Sequence, residues 1–76
     1  MPEEDAFHVE GSILEALSDR TCRVVLSNGH TLLGFLTRRT QAELGSLYLG
    51  QRVVLKLSPY DLSEGRIVGT EKKVIA

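Results

Sequence analysis

The sequence predicts an all-β fold, a small five-stranded barrel with one short helix between its third and fourth strands. Three observations carry that prediction. Apolar and polar residues alternate in several short runs, which is the two-residue period of strands rather than the longer period of helices. Asn28-Gly29 stands between two such runs, and both residues tolerate the positive φ of a two-residue hairpin turn. The stretch beginning at Thr37 has a capping hydroxyl ahead of it and a glycine, Gly45, to end it, as a short helix needs.

Residues 1–6 show no periodicity and are expected to be a disordered acidic leader. The first strand opens at Phe7, with Phe7, Val9, Gly11 and Ile13 on one face. Leu14 and Leu17 fall out of that phase. Either a helix starts there or the strand bends through a bulge; length favours the bend, with Gly11 as the place where backbone crowding is relieved. Ser18-Asp19-Arg20 turns the chain, and Cys22, Val24 and Leu26 alternate along a second strand. The Asn28-Gly29-His30 hairpin returns it as a third strand over 31–36, where Gly34 marks a bend or a close approach of another backbone.

The helix follows over 38–44. A fourth strand over 51–58 sets Val53, Leu55 and Leu57 on one side. Pro59 fixes φ at the head of a turn, Asp61 and Ser63 can bond nearby backbone, and Gly65 supplies conformational freedom, so 59–65 is expected as a structured loop. A short fifth strand, 66–69, and a flexible tail, 70–76, complete the chain. Three meandering strands, a helix and two more strands match the OB-fold (S1-like) barrel, here spanning 7–69, whose closure removes exposed sheet edges. An SH3-like barrel has a similar strand count but does not ask for a helix at that position.

Seventy-six residues make one domain, of a size that buries only about 60% of its unfolded surface. Cys22 is the only cysteine, so an intrachain disulfide and a cysteine-based zinc site are both excluded. The acidic N-terminus is unlike a secretory signal and no apolar run is long enough to span a bilayer, so a cytoplasmic monomer without membrane contact is expected. Net charge is −1, but it is unevenly laid out. Residues 1–19 hold acids and no base. Residues 20–56 hold Arg20, Arg23, Arg38, Arg39, Arg52 and Lys56 against Glu43 alone. A basic middle behind an acidic leader can hide a nucleic-acid face, or it can be ordinary solvated charge.

No catalytic constellation assembles from these residues. Asp61 and Glu64 have the spacing of turn residues, His8 and His30 lack a second ligand at metal spacing, and Cys22 sits on an apolar strand face where a small buried hydrophobe is the simpler reading. No glycine-rich phosphate loop is present. The chain therefore reads as a binding module rather than an enzyme, with no cofactor and no metal. The recognition surface of such a barrel comprises strands two and three with the loops joining strands one and two and strands four and five. Arg23, His30 and Tyr60 fall there, with Arg38 and Arg39 close by. Arginine suits phosphates and stacks on bases, and tyrosine offers a ring face to an unpaired base. Arg38-Arg39 is the sharpest candidate, because two guanidiniums at a helix start oppose the helix dipole, although Glu43 stands at pairing distance from Arg39. Tyr60 could instead pack under its own loop, and Arg23 could be no more than a solvated strand face.

Three stretches carry a family resemblance: Glu10-Gly11-Ser12-Ile13-Leu14-Glu15-Ala16-Leu17, Asn28-Gly29-His30, and above all Ser58-Pro59-Tyr60-Asp61-Leu62-Ser63-Glu64-Gly65-Arg66-Ile67-Val68. Together they resemble bacterial translation initiation factor one, a single OB-fold domain, over most of the chain. The resemblance implies an RNA-binding protein that occupies the A site of the small (30S) ribosomal subunit through 16S rRNA, blocks premature tRNA entry and assists the other initiation factors. It also implies RNA contacts for His30, Arg39, Arg52 and Arg66. The family's basic series between strands three and four is replaced here by Arg39-Thr40-Gln41-Ala42-Glu43-Leu44-Gly45-Ser46, and each lost phosphate contact lowers affinity and its salt dependence. An OB-fold paralogue acting as an RNA-binding or protein-interaction adaptor outside initiation is the alternative.

Overall fold

The computed structural model describes residues 6–70 and the backbone of residues 73–74. Nearly all of the expected acidic leader, and most of the expected tail, lie outside the described residues. The chain runs β1 (Phe7–Ser18), β2 (Thr21–Leu26), β3 (Thr31–Phe35), α1 (Arg38–Leu44), β4 (Arg52–Ser58), β5 (Asp61–Thr70) and β6 (Lys73–Val74). The sheet order is β3-β2-β1-β4-β5-β6, and β3 also pairs with β5 in parallel. That last pairing closes β1 to β5 into a five-stranded barrel, the OB-fold.

Closure depends on β1 being long and bent. Its first half, Phe7 to Ser12, pairs with β4, and its stretch from Gly11 to Ser18 pairs with β2. Gly11 belongs to both ladders. A Cβ there would lie 2.6 Å from Val24 Cγ1 and 2.8 Å from the Val25 carbonyl oxygen, so only glycine lets the strands approach this closely. The bulges themselves come later, at the register shifts between Ile13 and Glu15 and between Ala16 and Ser18. Leu14 and Leu17, the two residues out of phase in the sequence, sit in those shifts and are exposed.

The β2–β3 hairpin is not the expected two-residue turn: Ser27, Asn28 and Gly29 lie between Leu26 and His30, whose backbones are bonded, only Gly29 has a positive φ, at 89°, and its N–H donates to the Leu26 carbonyl. Gly34 is a close approach: a Cβ would lie 3.0 Å from Val24 Cγ2. Inward residues from every barrel strand, among them Ile13, Cys22, Val24, Leu32, Val53, Leu55, Leu57 and Ile67, form one core. Leu55, Ile67, Val24 and Val53 are wholly enclosed, each worth about 1.5–3 kcal/mol of transfer from water. Helix α1 covers one end of the barrel. Thr37 Oγ1 accepts from Thr40 N–H, Gly45 N–H bonds the Gln41 carbonyl, and the Gln41 amide donates to the Asp19 carbonyl, tying the helix to the β1–β2 turn. Leu44 and Leu47 pack against the core from that end.

One expected boundary is wrong. The stretch 59–65 is not a loop ahead of a short strand; β5 begins at Asp61, and only Pro59-Tyr60 separates it from β4. The turn chemistry is real, since Ser58 Oγ accepts from Tyr60 N–H and Asp61 Oδ1 from Ser63 N–H. What extends the strand is pairing on two sides: Asp61 pairs with Ser58 of β4, and Glu64, Gly65 and Arg66 pair with Leu33, Gly34 and Phe35 of β3, which satisfies backbone groups a loop would leave to water. Val68 lies at a second shift, between the pairs Val54–Gly69 and Leu55–Ile67, which lets both Ile67 and Val68 be buried. Beyond the expected fifth strand, Thr70 is buried within β5, and Lys73 and Val74 pair back onto Thr70 and Gly69.

Candidate nucleic-acid interface

Strand alternation decides which side chains reach the outside of the barrel. With Cys22, Val24, Leu32, Gly34, Gly65 and Ile67 turned inward, the outward residues include Arg23 and Val25 on β2, Leu33 and Phe35 on β3, and Glu64 and Arg66 on β5. The ladders set them in rows. Glu15, Arg23, Leu33 and Glu64 lie across β1, β2, β3 and β5, while Thr21, Phe35, Arg66 and Lys56 lie across β2, β3, β5 and β4.

The expected RNA-binding residues occupy β2 (Arg23), the hairpin (His30), α1 (Arg38 and Arg39), β4 (Arg52), the β4–β5 turn (Tyr60) and β5 (Arg66). Two of these regions are joined directly. His30 Nε2 lies 2.9 Å from the Leu62 carbonyl oxygen, and because a carbonyl only accepts, this contact requires the tautomer with hydrogen on Nε2. His30 N–H is itself held by Asn28 Oδ1 at 2.9 Å. The hairpin tip is thus fastened to the start of β5, just after Tyr60. Tyr60 does not pack under its loop: it is 75% exposed, because a two-residue turn leaves nothing for the ring to cover.

The arginines divide into two groups. Arg23 Nε lies 3.2 Å from Glu15 Oε1, Arg52 Nη2 3.4 Å from Glu10 Oε1, and Arg39 Nε 3.7 Å from Glu43 Oε1. All three pairs are exposed, so each contributes at most about 1 kcal/mol and can be displaced by a phosphate. Arg38 and Arg66 have no ion-pair partner among the described residues. Beside Arg66 in the parallel ladder stands Phe35, 37% exposed, which sequence reasoning left out of the site. Its signal was legible, since alternation that turns Leu32, Gly34 and Leu36 inward necessarily turns Leu33 and Phe35 outward.

Two shifted ionisations bear on chemistry. Burial pushes the Cys22 thiol up, so it stays protonated and is a poor nucleophile. The Ser63 hydroxyl, and after it the Ser63 N–H, hold the exposed Asp61 carboxyl below the ordinary aspartate value, which suits a turn-fixing carboxylate and not a general acid. Among the described residues no group of His, Cys, Asp and Glu side chains could hold a metal, and no helix is long and apolar enough to cross a membrane.

No protein-family model matches the chain. The fold is similar to the solution structure of translation initiation factor one from the Wolbachia endosymbiont strain TRS of Brugia malayi, with a TM-score of 0.70 and 27% identity, over 88% of this chain and 79% of that one. The chain fits a divergent protein of the initiation-factor-one type. The likeness supports a role in translation initiation, and initiation factor one is a translation factor and not an enzyme family.

Proposed function

We propose that this chain, like initiation factor one in fold, acts in translation initiation by binding the A site of the small (30S) ribosomal subunit through 16S rRNA. There it blocks premature tRNA entry and assists the other initiation factors, as a cytoplasmic monomer. The observation that supports this most is the similarity in fold and sequence to translation initiation factor one across nearly the whole barrel. Arg23, His30, Arg38, Arg39, Arg52, Tyr60 and Arg66 are the residues proposed to meet RNA. The exposed Glu partners of Arg23, Arg39 and Arg52 do not forbid this, since a phosphate replaces one weakly held carboxylate with another anion.

Co-sedimentation with purified 30S subunits at two salt concentrations tests the reading, and chemical footprinting of 16S rRNA locates the contact. Binding that weakens as salt rises, with protection confined to the decoding A site, is the expected outcome. The chain's weak point is the segment 40–51, whose only charged side chain is Glu43. Absence of co-sedimentation at low salt would favour the second reading, an OB-fold adaptor that works outside initiation.

A further inference from the structure

We propose that the cleft beside the β3–β5 seam is a subsite for one unpaired nucleotide of single-stranded RNA, its base stacked on Phe35 and its phosphate held by Arg66. This deepens the RNA-binding reading above and rests on it. The cleft has a volume of about 310 Å³ and is lined by Phe35, Thr37, Lys56, Asp61, Glu64 and Arg66 among others. Its floor is sheet. Phe35 and Arg66 are register partners in the parallel ladder and Arg66 and Lys56 are partners in the antiparallel one, so a ring and two cations stand in one row on fixed backbone.

Three observations favour a nucleotide as the occupant. Phe35 is a large aromatic side chain on the outward face of a strand, with 37% of its surface left in water. Arg66 has no acidic partner among the described residues, unlike Arg23, Arg39 and Arg52, each of which stands beside a glutamate. An aromatic face next to an uncommitted guanidinium is the pairing that single-stranded nucleic acids use, with the ring taking a base and the cation taking the backbone. The carboxylates of Asp61 and Glu64 line the same cleft. They repel phosphate from their side and so direct the backbone towards Arg66 and Lys56, leaving the base edge, which carries N–H donors, to face them.

Fluorescence anisotropy with a short labelled oligoadenylate, and with an abasic strand of the same length, tests the subsite in the full chain. Phe35→Leu keeps apolar bulk but removes the ring. It should weaken oligoadenylate binding by about tenfold, the lower part of the range for one stacked base, while leaving abasic-strand binding unchanged. Phe35→Trp should restore binding. Arg66→Gln should weaken both strands and lower the slope of log affinity against log salt by about 0.7, the value for one phosphate contact on a single strand. Circular dichroism melts check that each variant is folded. If Phe35→Leu is misfolded, Arg66→Gln decides the matter alone. Equal binding by parent and folded Phe35→Leu, equal loss on the abasic strand, or an unchanged salt slope for Arg66→Gln would each overturn the subsite.

The two proposals fail separately. If the parent does not co-sediment with 30S subunits yet binds oligoadenylate through Phe35, the ribosomal reading falls and the subsite stands. If co-sedimentation is untouched by Phe35→Leu and Arg66→Gln, the subsite falls and the ribosomal reading stands.

Discussion

The strand wall of the barrel and the end covered by α1 were both expected to face RNA, and they are held in place by different forces. The wall is a continuous ladder from β1 round to β5, closed by the parallel pairing of Leu33, Gly34 and Phe35 with Glu64, Gly65 and Arg66. The α1 end is a seven-residue helix held by one threonine cap, one side-chain bond from Gln41 to the Asp19 carbonyl, and the packing of Leu44 and Leu47. A side chain on the wall is aimed by backbone fixed on both sides, whereas one on α1 is aimed by a helix too short to be stable alone. Charge does not follow that division: on the wall Arg23 and Arg52 are paired with Glu15 and Glu10 while Arg66 has no acidic partner among the described residues, and on the helix Arg39 is paired with Glu43 while Arg38 is not. On the proposed RNA-binding reading, geometrically precise contacts would belong to the wall, and the helix end would supply general electrostatic attraction.

The largest effect should come from the wall. Gly11→Ala places a methyl group against Val24 Cγ1 and the Val25 carbonyl, and a carbonyl in a ladder cannot move aside without breaking its pairing. The expected cost is about 2 kcal/mol, a fall in Tm of roughly 10 °C for a domain of this size. The matching change at the other end, Thr37→Ala, removes the oxygen that accepts from Thr40 N–H and should cost about 1 kcal/mol. Thermal melts followed by circular dichroism measure both. A Thr37→Ala loss as large as that of Gly11→Ala would mean that the helix end is integral to the barrel, and the distinction would collapse.

Removing charge from the helix should leave stability alone. Arg38→Ala with Arg39→Ala deletes two exposed guanidiniums and one exposed ion pair, so the melting temperature should stay within the range of about 0.5 kcal/mol typical of surface changes. Co-sedimentation with 30S subunits should weaken, and the loss relative to the parent should be larger at the lower salt concentration, because fewer phosphate contacts give a shallower salt dependence. Unchanged binding would confine the contact to the wall and sharpen the division further.

How much of this was legible in the sequence depends on the range of the interaction that fixes each element. The hairpin at Asn28-Gly29 and the helix from its Thr37 cap to Gly45 are set by residues a few positions apart, and both occur where local chemistry put them. Gly11 was legible as a crowded position because alternation breaks soon after it, though the bulges fall at Leu14 and Leu17, where the partner strand β2 sets the register. The start of β5 was not legible. Asp61, Ser63 and Gly65 carry turn signals that local reasoning reads as loop; Asp61 is in fact paired with Ser58 of β4, and the distant strand β3 brings Glu64 and Gly65 into the ladder. The site shows the same limit. That Arg23 faces outward follows from alternation, but its pairing with Glu15 depends on a bulged register that the sequence does not display. That Phe35 faces outward follows from the same alternation, but its place beside Arg66 depends on the parallel pairing of β3 with β5, which local residues do not set.

The smallest expected effect lies at the β4–β5 turn and tests whether the wall's edge is fixed by charge. Asp61 Oδ1 accepts from the Ser63 hydroxyl and from Ser63 N–H, and these bonds hold its carboxyl below the ordinary value while leaving it wholly exposed. The native state therefore binds a proton at Asp61 less readily than the unfolded chain, whose aspartate titrates at about 3.9. The stabilisation is present in full above that pH and disappears as pH falls through the lower folded value. Asp61→Asn keeps an oxygen able to accept both bonds but carries no charge. Near neutral pH the parent should melt slightly above Asp61→Asn, and the gap should close as the solution is acidified below about pH 4. A gap that stays constant across that range would show that the turn is held by geometry alone, so that any charged residue of the wall that matters would have to act on a ligand and not on the fold.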